Sequence, residues 1–373
     1  MGTQILDEFY EKDVEPRLDK ALEQIEEAFQ AGRQKWKESF VKQFAAICKK
    51  IKGLQDEKDM EIGFLMIHPL RTRLVAHDYR YQLWVYDEEW YVHEGYPVGD
   101  LDVSLVYQFY EAMWKDLEKE YPKYFGKLTE ADVEQMMLYL LDKFHIYVTE
   151  LLRYSLLDAI EQEAYEEIRK ADIFHIECGE MMEPSDVIHI EDKKKRVVKV
   201  KKWLEEKKDD TSYCFADMSG LVLEKLMFQN LDLRYVDFRE CNLEGAHLSV
   251  CMFNGTKFRR ANLRNANLMI SIIAGADFTG ADLTGANLTK CVAYMGKKFL
   301  NMWRKTGYTE TSFRNCNLRK AKFVDAVLHG VDFRGADLTE ADFTGASLSD
   351  CLFDKGALLE NLTLEQKKGN QFV

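Results

Sequence analysis

The sequence predicts an α+β protein in two unlike halves: a mainly helical, acidic N-terminal domain with a few strands, followed by a solenoid of five-residue turns. Three observations carry this. A large apolar residue recurs every fifth position through the second half, apolar residues recur every three or four positions through much of the first, and charge divides along the same line. Thr211 to Val373 holds 20 basic and 18 acidic residues, whereas the first 190 residues sum to −18. At 373 residues there is room for two cores, and the expected division is 1–190, a basic linker or cap at 191–210, and 211–373.

In the first half, Leu18, Leu22, Ile25 and Phe29 keep helical spacing, and Trp36, Phe40, Phe44, Ile47 and Ile51 continue it past Gly32. A second helix is expected from Thr129, with Thr129 and Asp132 as a capping box, through Met136, Leu140, Phe144, Val148 and Leu151 to about Lys170. Between them GFLMIHPLRTRLVAHDYRYQLWVYDEEWYV is rich enough in β-branched and aromatic residues for two or three strands. ADIFHIECGEMMEPSDVIHIED reads as two short strands around Pro184. Alternation puts His175 and Glu177 on one face of the first, and His189 and Glu191 on one face of the second. Two His and two Glu suit a divalent metal, so these four are the candidate metal ligands; a solvated polar face is the simpler reading. The H-x-E element lacks the P-C-x-x-C that would complete a zinc deaminase signature, and no phosphate loop, G-x-S-x-G or H-E-x-x-H occurs. No enzyme and no cofactor are expected. EDKKKRVVKVKKWLEEKKDD is the boundary segment, with Val197, Val198 and Val200 read as an edge strand leading into the repeats.

Stepping by five from Met218 to Leu358 lands on 29 positions, of which 23 are Leu or Phe and only Lys298 is charged. Two residues before most of them stands a small side chain, as at Ala246, Ala261, Ala281 and Ala341. Cys241, Cys251, Cys291, Cys316 and Cys351 fall at this small position without C-x-x-C spacing, so they read as small hydrophobes in a reducing compartment. A period of five fits neither helix nor alternating strand. It suits a chain that turns a corner every five residues and stacks coil on coil, each needing its neighbour to bury its face.

ADFTGADLTGANLTK, residues 276–290, and its copies resemble the pentapeptide-repeat family, A-[DN]-[LF]-X-X, over roughly Met218 to Leu358. The resemblance implies a right-handed quadrilateral parallel β-helix of bacterial type with four pentads per coil, hence about seven coils and a rod of roughly 35 Å. It also implies interaction rather than catalysis, and the family includes quinolone-resistance proteins that imitate duplex DNA and shield gyrase.

From Cys291 to Glu310 the motif fails for one coil's length. The chain there makes either one degenerate coil or a loop with the rod closing up beneath it. From Gly296 to Lys322 eight basic residues face Glu310 alone: Lys297, Lys298, Arg304, Lys305, Arg314, Arg319, Lys320 and Lys322. With twenty residues per coil, Arg314 stacks under Arg334, and Arg239 under Arg259, a like-charge ladder that invites an anionic partner. These residues, with Trp303, are the candidate binding belt.

The function expected is a non-enzymatic protein-interaction scaffold: the N-terminal domain recognises an unidentified protein and the rod is spacer or docking face. The alternatives are a DNA-mimic modulator of gyrase, for which a rod at +2 is poorly charged, and a metal-dependent enzyme around His175 and His189. The acidic half also has a basic belt to dock on, within one chain or between two copies. A nucleic-acid partner is not expected, and neither is a membrane, because no run of 18 apolar residues exists; the opening MGTQILDEFY is not read as a signal peptide, and the expected location is cytoplasmic. The tail LTLEQKKGNQFV either caps the last coil or pairs two rods.

Overall fold

The computed structural model describes residues 2–206, 213–293, 310–355, 360 and 362–373. The described chain forms two compact units that part between His189 and Ile190.

In the first unit α1 (Gly2–Phe9) passes through a π-helical turn at Tyr10–Val14 into α2 (Glu15–Lys58), 44 residues long. The apolar stripe read from the sequence, Leu18 to Ile51, is buried along its whole length, so Gly32 does not break the helix. Next come β1 (Ile62–His68), the short α3 (Arg71–Val75), β2 (Arg80–Tyr86) and β3 (Tyr96–Asp102). Of GFLMIHPLRTRLVAHDYRYQLWVYDEEWYV, two segments become strands, and Trp90–Val92 closes as a 3-10 turn. Then follow α4 (Ser104–Glu120), α5 (Glu130–Ala159), the single turn α6 (Glu163–Glu166), β4 (Lys170–Cys178) and β5 (Asp186–Asp192). Thr129 and Asp132 form the expected capping box, but α5 stops at Ala159 and Lys170 already belongs to a strand.

The sheet order is β3-β2-β1-β4-β5, with β1 antiparallel to β2 and parallel to β4. Leu65 opposite Val85 and Ile67 opposite Leu83 share one core with Phe40, Phe44 and Ile47 of α2, Tyr107 and Tyr110 of α4, and Leu140 and Phe144 of α5. Helices therefore cover one sheet face, and Phe64, Met66 and His68 stand on the other.

The second unit begins with α7 (Val197–Glu206). The edge strand expected at Val197 to Val200 is instead a helical turn. Val197, Val200, Trp203 and Leu204 recur at three and four, and that period lets them pack against the core that begins at Tyr213. Tyr213 donates its hydroxyl to the Trp203 carbonyl at 2.8 Å and meets the indole edge-on.

From Asp217 onward the backbone climbs through parallel bridges at a step of twenty residues, four per coil. Asp217 bridges Asp237, Val222 bridges Asn242, Met227 bridges His247 and Asp232 bridges Met252, and the series repeats. Every large apolar centre from Met218 to Phe353 outside 294–309 is buried except Leu338, which is partly buried against the same core. At most corners the amide three residues past a centre returns to the centre's carbonyl, as Ala246 does to Leu243 at 3.0 Å. The residue before that amide is left-handed, which is why G closes so many pentads: Gly280 has φ 71° and Gly285 φ 69°.

Across the interruption the step becomes 35: Asp277 bridges Ser312, Asp282 bridges Asn317, Asn287 bridges Lys322 and Val292 bridges Val327. The coils on either side are thus direct neighbours, as in the second of the two alternatives above. The fault is also shorter than 291–310, since Cys291, Val292 and Ala293 keep their places in the coil. Two short parallel pairs finish the stack, β6 (Val327–His329) with β7 (Ser347–Ser349) and β8 (Leu352–Phe353) with β9 (Gln371–Phe372), the single turn α8 (Leu364–Lys367) lying between β8 and β9 in the chain. The tail therefore covers its own last coil.

Candidate functional site

Each pentad position of the solenoid has a physical job. The Asp or Asn before the centre accepts the amide two residues on, as in Asp277 from Thr279 at 3.0 Å, Asn287 from Thr289 at 3.1 Å and Asp342 from Thr344 at 2.9 Å. The small residue two before the centre faces the preceding coil. Where it is polar it donates to the carbonyl of the centre below: Cys251 Sγ to Phe228, Thr256 Oγ1 to Leu233 and Ser271 Oγ to Leu248. Burial lifts the Cys251 thiol to about 11 and the Cys291 thiol to about 12, as suits inert core cysteines.

The residue after the centre ties coils together. Arg259 meets Asp277 at 2.5 Å, Arg264 meets Asp282 at 3.1 Å, Arg314 meets Asp332 at 3.6 Å and Arg319 meets Asp337 at 3.4 Å, each pair eighteen residues apart. Arg234, Arg239 and Arg334 instead reach back two residues, to Asp232, Asp237 and Asp332. Burial pushes the Asp282 carboxyl up, but Thr284 and Arg264 outweigh it and hold it below the usual range. The Arg314 and Arg334 ladder therefore has its anion inside the rod: buried Asp332 serves both guanidiniums. Lys320 reaches Glu340 at 3.6 Å, and Lys322 lies beneath Asp342 in the bridge series. Lys297, Lys298, Trp303, Arg304 and Lys305 lie outside the described residues.

Of the first unit's candidates, β4 places His175 opposite Phe64 and Glu177 opposite Met66, one sheet face as expected. His175 Nδ1 lies 3.0 Å from Glu177 Oε1, its ring stacks on Phe64 at 4.8 Å, and Ser185 donates to the other Glu177 oxygen. Burial raises the Glu177 carboxyl, and these two hydrogen bonds more than reverse it. His189 is buried on β5, and Glu191 falls in the second unit. Among the described residues no group of three or more His, Cys, Asp or Glu is placed to hold a metal ion. None of the described helices is long and apolar enough to cross a membrane.

Two features of the solenoid escape a reading by period alone. The first is Lys257, buried in the bridge column between Asp237 and Asp277. Desolvation holds its ammonium down to about 8, against the pull of Asp237 and Asp217. The unfolded lysine titrates near about 10.4, so between these values the unfolded chain binds the extra proton and stability rises with pH. Lys257→Met is expected to lack that rise and to be the more stable chain at pH 7, read by urea unfolding at pH 7 and 9.5; an unchanged slope would refute it.

The second is a column of apolar residues. Three of the four bridge columns carry mainly Asp, Asn, Lys, Ser or His before the centre, whereas the fourth, which starts at Asp232 and ends at Ser347, is apolar between them at Met252, Ile272, Val292 and Val327. Beside it at the corners stand Val250 and Ile270, 41% and 51% exposed and both left-handed, a conformation β-branched residues rarely adopt.

Five-residue turns, four to a coil, stacked by parallel bridges define a β-solenoid whose surface chemistry repeats with the coil. The family described as pentapeptide repeats matches the C-terminal part of the chain in eight copies, over residues 214–245, 232–268, 271–292 and 311–350. Similar solved structures include the pentapeptide repeat protein Rfr23 from the cyanobacterium Cyanothece 51142, 17% identical over 43% of this chain and 100% of that one, with a TM-score of 0.20. HetL, a pentapeptide repeat protein involved in heterocyst differentiation regulation in Nostoc sp. strain PCC 7120, is 18% identical over 43% and 81%, at 0.17. QnrB1, a plasmid-mediated fluoroquinolone resistance protein, is 23% identical over 42% and 82%, at 0.21. No curated protein matches the chain.

Proposed function

We propose that the protein is a non-enzymatic interaction scaffold. Residues 1–190 recognise a partner protein, residues 211–373 form a right-handed quadrilateral rod that spaces and docks it, and residues 191–210 link the two and cap the rod's first coil. The observation that carries this is the apolar column Met252, Ile272, Val292 and Val327, flanked by exposed Val250 and Ile270. Apolar side chains grouped on a soluble surface mark a contact site, and here the same backbone position is polar on most of the other sides. The Arg–Asp ties also favour this reading over a gyrase modulator, since they leave the acids of the rod compensated where duplex mimicry needs them bare.

The test is capture of a partner from lysate by the intact chain, followed by cross-linking. Ile272→Asn installs the residue that Asn262 and Asn267 already show at the same pentad position. It is expected to leave thermal unfolding unchanged and to abolish capture. Capture at full strength by this variant removes the docking face, and cross-links confined to 211–373 remove the recognition role of 1–190.

A further inference from the structure

The first unit contains a cavity of about 630 Å³ to which none of the candidate residues above belongs. Such a volume lies in the range of small-molecule sites, about 300–1,000 Å³. It opens beyond the C-terminal ends of the parallel strands β1 and β4, where Pro69 follows the first and Gly179 the second, and α5 supplies the opposite wall. The crevice past the carboxyl ends of parallel strands is a recurrent ligand position.

The lining has two characters. Pro69, Leu74, Leu141 and Pro184 are apolar, while four carboxylates also line the cavity, Asp142 from α5 and Glu180, Glu183 and Asp186 from the segment that joins β4 to β5 and the start of β5. Arg71 is the one guanidinium among the lining residues, and it sits 2.6 Å from Glu180 and 3.9 Å from Asp142. Arg153 reaches Asp186 from outside at 3.4 Å. Even with both guanidiniums counted, two carboxylates are in excess. His145 adds no charge, because burial holds its imidazole below the usual range; its Nδ1 lies 3.0 Å from the Tyr81 hydroxyl, itself 2.7 Å from that of Tyr107 on the cavity wall. Buried His68 donates to the Gly179 carbonyl at 2.8 Å, and its Nε2 has no partner. The surrounding unit, with −18 over the first 190 residues, raises the local concentration of cations further.

We infer that this cavity binds a small organic cation, an amine or guanidine on an apolar body, its charge among Asp142, Glu180 and Glu183 and its body against Leu74 and Leu141. The inference does not rest on the scaffold reading. An anion is excluded by the carboxylate surplus, and an unsubstituted metal ion would leave most of the volume and its apolar walls unused.

The experiment is calorimetric titration of the intact chain with 2-phenylethylamine and, as its anionic counterpart, 3-phenylpropanoate. The amine is expected to bind and the acid not, with binding weakened by raised salt. Asp142→Asn and Glu183→Gln, both on exposed side chains, are each expected to weaken the amine, and together by at least about tenfold. Glu134→Gln, on the same helix outside the cavity, is the control and leaves binding unchanged. Equal binding of the acid, an unaltered affinity in the double variant, or no heat from the amine up to about 10 mM overturns the inference. Because Asp142→Asn and Glu183→Gln remove no buried group, circular dichroism identical to the parent keeps a lost affinity from being read as a lost fold.

Discussion

Phe278→Ala is expected to cost the solenoid about 3–5 kcal/mol, the range for emptying a buried aromatic site. Phe238, Phe258, Phe278, Phe313, Phe333 and Phe353 stack ring on ring up one side of the rod, and Phe278 lies 4.7 Å from both neighbours with planes nearly parallel. Face-to-face aromatic contact is not the arrangement rings choose when free. Here the bridge register imposes it, and the gain lies in area kept from water. Alanine would leave a ring-sized void between two coils that cannot close, because their backbones are held by hydrogen bonds such as Phe278 N to the Ser312 carbonyl at 2.8 Å. Denaturant unfolding followed by near-ultraviolet dichroism measures it. Phe278→Leu should recover more than half the loss, and a loss under about 1 kcal/mol for alanine would mean the coils relax together.

Asp332→Ala has the second largest expected effect, about 3–4 kcal/mol. The carboxylate is fully buried. It takes Arg334 Nε at 2.9 Å, Arg334 Nη2 at 2.6 Å and the Arg334 amide at 3.0 Å, while Arg314 stands 3.6 Å away. Alanine removes the acceptor and leaves two guanidiniums side by side on neighbouring coils, the like-charge ladder the sequence suggested. Asp332→Asn keeps one oxygen for the Arg334 amide but loses the charge and the oxygen that accepts Arg334 Nη2, so its cost is expected to be about half or more of the alanine loss. Adding Arg334→Gln to Asp332→Ala should restore part of the loss; strictly additive costs would show that the guanidiniums do not depend on this carboxylate.

Much of this architecture was legible because the solenoid writes its coil into the sequence. The centre, the small residue and the Asp or Asn each answer one local requirement, and each recurs at five. The ties between coils were harder to see. Stacking by twenty sets Arg314 under Arg334, yet side chains pair by eighteen, because the residue after one centre leans towards the residue before the next. The interruption was ambiguous for an arithmetical reason: its excess over a coil, 35 against 20, is a multiple of five, so the register survives it whether or not the residues join the stack. In the first unit Leu18 to Ile51 announced a helix, and Thr129 with Asp132 announced a cap. The cavity gave no local signal at all. Its walls come from residues 69–74, 107, 141–145 and 178–186, which only the folded sheet gathers. At Val197 to Val200, β-branched residues suggested a strand, and packing against Tyr213 decided for a helix.

The covered last coil has a consequence for how such rods behave in company. A stack of parallel coils ends in unpaired backbone, the same template that lets fibrils grow. Here β9 pairs with β8, Phe372 lies over Phe353 at 5.8 Å, Asn370 accepts the Cys351 amide at 2.8 Å, and Gln366 donates to the Phe343 and Ala346 carbonyls. Growth by addition of another molecule at that end is blocked by the protein's own residues. The last coil therefore presents a paired strand and an aromatic lid, where a bare coil would present unpaired amides and carbonyls.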